Sequence, residues 1–158
     1  MSTSTRTVTI NAAFLQEIKD DSYELRQLLL RADMLVATPV QGVAFAQAAA
    51  PLLEELCDQL ALHFALEEAY GYFDDAIDVA PQLSHRSEVL RSQHAAMYRQ
   101  LCGLLEAVEQ LRYQEHHRPQ VHDLIATYTA FRRALAEHES RETEIILEAF
   151  DDEIGGGD

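Results

Sequence analysis

Four long runs of apolar residues recur at the 3.6-residue period of a helix, and no stretch keeps the two-residue alternation of a strand. The first runs from about Asn11 to Leu35, with Phe14, Ile18, Leu25, Leu28, Ala32 and Leu35 on one stripe and a single gap at Asp21. Thr38-Pro39 ends it, because the residue before a proline resists helical torsion angles. A short Ala-rich stretch, Val43 to Ala50, is helix-compatible, and Pro51 suits the first turn of the next main helix, where its missing N–H costs nothing. That helix aligns Leu53, Leu56, Leu60, His63, Glu67 and Tyr70 and is expected to end near Gly71. Pro81 opens the third run, with Leu90, His94, Met97, Leu101, Leu104, Val108 and Leu111 on its stripe. Pro119 opens the fourth, with Val121, Leu124, Tyr128, Phe131, Leu135, His138, Glu142 and Ile145.

Short connections between four such helices make each the antiparallel neighbour of the next, which predicts an all-α, up-down-up-down four-helix bundle. The 158 residues suit one domain with one core. The pattern places a flexible N-terminus at 1–10, a single four-helix domain at 11–150 and a disordered acidic, glycine-containing tail at 151–158. The Ser/Thr-rich start, Met1 to Ile10, is not a secretory signal, and no apolar run approaches a membrane span. A net charge of −15, from 27 acidic and 12 basic side chains, repels nucleic-acid phosphates and anionic lipid, so neither is an expected partner. Cys57 and Cys102 both lie in helical patterns and read as small buried hydrophobes rather than a disulfide framework, which fits a reduced, cytoplasmic protein.

Amphipathic helices put polar groups outside, so polar residues on an apolar stripe are the informative ones. Three of the seven histidines, His63, His94 and His138, sit on stripes. Two are followed by glutamate at helical spacing, His63-x3-Glu67 and His138-x3-Glu142, which puts each pair on one face about 6 Å apart along the axis. A buried carboxylate needs a partner or a metal. Three histidines and two glutamates converging from three helices form a metal-ligand set, with a polar network in which histidines hydrogen-bond glutamates as the competing reading. Imidazole with carboxylate suits iron, zinc or manganese.

At these residues the chain resembles the hemerythrin-like family, also called the HHE cation-binding domain. The resemblance spans about Ile10 to Phe150 and rests on His63-Phe64-Ala65-Leu66-Glu67-Glu68, on Gln93-His94 and on His138-Glu139-Ser140-Arg141-Glu142. It implies two non-haem irons bridged by Glu67 and Glu142, one of them held by His94 and His138 and the other by His63. The family's first-helix histidine falls at Ser22, next to Asp21, which offers a carboxylate in its place. On the third helix Leu90 and Tyr98 stand where some relatives carry a second histidine, so only Tyr98 has an oxygen to offer there. With that histidine replaced, the site holds two irons with an exchangeable position, holds one metal, or is degenerate.

The function this implies is a metal-binding protein that handles or senses dioxygen, nitric oxide, peroxide or iron. A metal-free bundle acting as a protein-interaction module is the alternative, and a peroxide-reducing enzyme a third reading. His116, His117 and His122 crowd a loop and read as solvated, as does His85. Tyr70, Tyr72 and Tyr98 read as packing residues near the site, and Glu68, turned about 100° from Glu67, as a rim carboxylate. No Glu-x-x-His pair of the ferritin type occurs, and His138-Glu139 lacks the second histidine of a zinc-protease helix.

Overall fold

The computed structural model describes residues 12–38, 40–69 and 80–155, with side chains at 20–38, 40–68 and 80–149. The side chains of Phe14 and Ile18, residues Tyr70 to Tyr72 and the N-terminus predicted to be flexible lie outside that range. Four helices follow one another: α1 (Ala12–Ala37), α2 (Gly42–Ala69), α3 (Ser84–Arg112) and α4 (Val121–Gly155), with a 3-10 turn at Pro81–Leu83 leading into α3. No strand occurs among the described residues. α1 packs on α2, α2 on α3 and α3 on α4, the sequential contacts expected of an up-and-down bundle. The α1–α4 seam is the loosest of the four among the described residues.

Two boundaries differ from the sequence reading. Pro51 does not start a helix but lies inside α2, which runs unbroken from Gly42. Proline removes the amide that would bond the Gln47 carbonyl, and both residues are exposed, so that carbonyl can be solvated. Phe45, Ala46, Ala49 and Ala50 are all buried in the same core as Leu53 and Leu56, and this shared burial carries the helix across the proline. α4 continues to Gly155, beyond Phe150, the last residue of the expected four-helix domain. Elsewhere local chemistry explains the ends. Gly42 opens α2 at φ +62, and Gln114 takes the left-handed φ of 53 after α3. There the Glu115 amide bonds the Gln110 carbonyl and the Gln114 amide bonds that of Leu111, a Schellman closure.

The core is built from the predicted stripes. Leu56, Leu60, Leu101, Phe131 and Leu135 are completely buried. Truncating such a residue as Phe131 to alanine costs about 3–5 kcal/mol. A second, smaller apolar cluster joins Ala80, Leu83, Leu90, Ile145 and Ala149. On α3 the order is Leu90, His94, Met97, and on α4 it is Leu135, His138, Glu142, Ile145, so a polar layer lies between two dry ones. Asp21, His94, His138 and Glu142 are buried in that layer.

Candidate metal centre

The polar layer is assembled from all four helices, one turn of each. His94 of α3 and His138 of α4 bring their Nε2 atoms within 3.1 Å of each other. Both rings are fixed from behind: His94 Nδ1 donates to Glu68 Oε1 at 3.0 Å, and His138 Nδ1 to Gln93 Oε1 at 2.9 Å. Phe64 stacks on His94 with ring centroids 4.1 Å apart. Anchored at Nδ1, each ring turns its Nε2 inward, the arrangement by which proteins orient metal-ligating imidazoles.

The carboxylates complete the centre. Glu67 Oε2 lies 3.1 Å from His94 Nε2, and Glu142 Oε1 lies 2.6 Å from His138 Nε2. Both oxygens are buried with no aligned hydrogen-bond donor. They are near the imidazole nitrogens in distance but off the line of any N–H, which wastes them as acceptors and suits them as ligands to a shared cation.

His63 stands on the other side of Glu67. Its Nε2 is 2.9 Å from Glu67 Oε1 and its Nδ1 is 2.8 Å from Asp21 Oδ2. Asp21, the polar gap in the first stripe, is buried and also accepts from the Gln59 amide at 2.6 Å. Glu67 therefore touches both histidine groups, one through each carboxylate oxygen.

This concentration of carboxylates shapes the titration of the metal-free protein. Burial pushes the His63 imidazole down, but Glu67 and Asp21 outweigh it and hold it up at about 9. Burial likewise opposes His94, and Glu142, Glu67 and Glu68 raise it to about 10. Glu67 is driven down to about 2, the facing imidazolium charges of His63 and His94 overcoming its own desolvation. Protons thus occupy the positions a metal takes, and metal binding must release them.

Glu67, His94, His138 and Glu142 each offer one ligand atom, all within 4.8 Å of one another. That span is close to twice the ~2.1 Å of a nitrogen– or oxygen–metal bond, so modest contraction brings all four onto one ion. The donor set, two imidazoles and two carboxylates with two orphaned oxygens, fits a first-row divalent metal. The hemerythrin HHE cation binding domain matches the chain over residues 14–150. The chain belongs to that family. No curated protein sequence and no solved structure matches it significantly.

All five histidines and glutamates predicted for this hemerythrin-family site, with Asp21, come together in the structure. Tyr98 does not join them. It is 37% exposed, because Met97 takes the stripe position after His94 and leaves residue 98 beyond the buried face. Glu68 is half exposed, as a rim residue should be, yet it also holds His94. Gln93 and Gln59 were not singled out as contacts from sequence; their only signal is that each neighbours a stripe position and has a side chain long enough to reach back. His85, His116, His117 and His122 are exposed and stand outside the metal-capable group found among the described residues.

Proposed function

We propose that this chain is a non-haem iron protein whose bundle holds two iron ions and which handles or senses dioxygen, nitric oxide or peroxide, or responds to iron. The observation that carries the reading is the pair of buried carboxylate oxygens, Glu67 Oε2 and Glu142 Oε1, that have no aligned donor and face two inward-turned Nε2 atoms. Hydrogen bonding within the polar layer does not use these two oxygens, and buried carboxylate oxygens left so favour a bound cation.

His94 and His138 would hold one iron and His63 with Asp21 the other, with Glu67 and Glu142 available to both. When bound, ferrous iron supplies electrons and an exchangeable coordination position for a small diatomic or peroxide ligand. Gln93 and Glu68 keep the imidazoles aimed inward. Phe64 covers one face of the His94 ring, and the two apolar clusters close the polar layer above and below. The His63–Asp21 side instead adjoins a cavity of about 690 Å³, so ligand exchange belongs there. Two free cysteines fit a reducing, cytoplasmic setting, and no described helix is long and apolar enough to cross a membrane.

The test is elemental analysis of protein expressed with iron and without a metal-binding tag. Two irons per chain are expected. One metal reduces the site to the His94–His138 position, and none after anaerobic reconstitution overturns the reading in favour of a metal-free interaction module.

A further inference from the structure

The 690 Å³ cavity is a trough in the α1–α4 seam with α2 as its floor. It exists because small side chains face one another there: Ser22 on α1, Ala136 and Thr143 on α4. At one end Arg132 clamps Asp33 through two hydrogen bonds of 2.9 Å and ties the helices together. At the other end the trough reaches Asp21, His63, Glu67 and Glu142.

One more carboxylate lines it. Glu139 is on the solvent side of the trough, exposed, yet within electrostatic reach of His63, Glu67 and Glu142. Its carboxylate is tied by no hydrogen bond or ion pair among the described residues, unlike Asp21, which Gln59 and His63 hold. It precedes Glu142 by three residues on α4, a spacing that places their side chains about 5–6 Å apart at Cβ. The orphaned Glu142 oxygen, 7% exposed with its side chain, is the next acceptor inward.

We propose that Glu139 is the carboxylate through which a divalent cation passes from solvent along this trough into the cluster, and that it is not a resident ligand. The inference rests on the reading that the cluster binds metal. A hydrated cation cannot shed all its water in one step into a buried site without a large desolvation penalty. An exposed, untied carboxylate takes the partly hydrated ion first and passes it to Glu142. The opposite flank offers no equivalent. A smaller cavity of about 240 Å³ touches His138 there, but its one carboxylate, Glu137, is held by Arg141 at 3.0 Å. His138 Nδ1 is likewise taken by Gln93.

The experiment is stopped-flow uptake of Co(II) by the metal-free full-length protein, read by its visible ligand-field absorption. Glu139→Gln and Glu137→Gln change net charge equally, so their difference isolates position. Glu139→Gln is expected to slow uptake about three- to tenfold, the scale of local charge focusing, with final stoichiometry and spectrum unchanged. Release to a chelator should slow by the same factor, Glu139→Asp should recover most of the rate, and Glu137→Gln should match the wild type. Wild-type uptake by Glu139→Gln overturns the proposal, as does slowing confined to Glu137→Gln. A changed spectrum or stoichiometry in Glu139→Gln overturns it by making Glu139 a resident ligand. A wild-type protein that takes up no cobalt sinks the metal reading itself.

Discussion

His94 and His138 face one another through their Nε2 atoms at 3.1 Å, each gripped from behind by a different acceptor, Glu68 for one and Gln93 for the other. Two ring nitrogens this close, with carboxylate oxygens beside both, call for a cation or a shared proton between them. Replacing either histidine by alanine should therefore abolish metal retention at this position through desalting. His117→Ala, on the exposed loop, should retain the wild-type metal content. Equal metal in all three variants would remove the ligand assignment.

Gln93 touches no proposed metal position, yet it sets which nitrogen of His138 points inward. Gln93→Leu should weaken affinity about 10- to 100-fold, the usual effect of losing the group that orients a ligating histidine. Stoichiometry at saturating metal should not change. Competition against a chromophoric chelator measures both quantities in one titration, and an unaltered affinity would show that packing alone orients the ring.

The metal-free protein should lose stability toward alkaline pH. His63 and His94, raised to about 9 and about 10, lie above their ordinary value of 6.5. Their charged pairs therefore stabilise fully below about pH 6.5, and that contribution is lost as pH rises through the folded values. Glu67, lowered from 4.5 to about 2, acts in the opposite sense: its contribution is complete above about pH 4.5 and is lost as pH falls toward 2. Thermal midpoints of chelator-treated protein should be highest near pH 5–6.5 and decline to pH 10, more steeply than in His63→Ala. Metal affinity should rise over the same range as proton competition fades. A chelator-treated wild type with a profile as flat as that of the variant would contradict the charged pairs.

The four helices and the five histidines and glutamates were legible because both depend on helical periodicity: Leu101, Phe131 and Leu135 mark the buried face, and His94 or Glu142 is conspicuous on it. Asp21 was visible for the same reason, as a gap in a stripe. What escaped depends on rotation and reach. Whether residue 98 faces the site turns on where the stripe passes after Met97, which an i+4 spacing alone does not say. Glu68 lies beside the stripe but is long enough to return to it. The trough arises from Ser22, Ala136 and Thr143 meeting across two helices distant in sequence, and no local pattern records that meeting.

Pro51 was misread because its residue type outweighed its surroundings. Inside α2 it withholds a hydrogen bond from Gln47 on an exposed side. Pro51→Ala should therefore stabilise the protein by about 1–2 kcal/mol, less than the ~3 kcal/mol intrinsic helix penalty because proline also restricts the unfolded chain. Denaturant midpoints with an unchanged m-value test this. Destabilisation would mean that the proline ring itself packs usefully.

Asp21 separates two irons from one. Its carboxylate is buried, bonded to Gln59 and to His63, and joined by no hydrogen bond or ion pair to the His94–His138 pair that would hold the other metal. If it replaces the missing first-helix histidine, Asp21→Ala should cost one metal of two and leave the second bound with nearly wild-type affinity. If Asp21 only steadies His63, then Asp21→Asn, which keeps a hydrogen-bonding oxygen but no charge, should retain both metals. Because one neutral oxygen binds a divalent ion far less well than a carboxylate does, the expected result is that Asn behaves like Ala. Elemental analysis of both variants beside the wild type decides between a ligand and a support, and two metals retained in Asp21→Ala would exclude the carboxylate from the site.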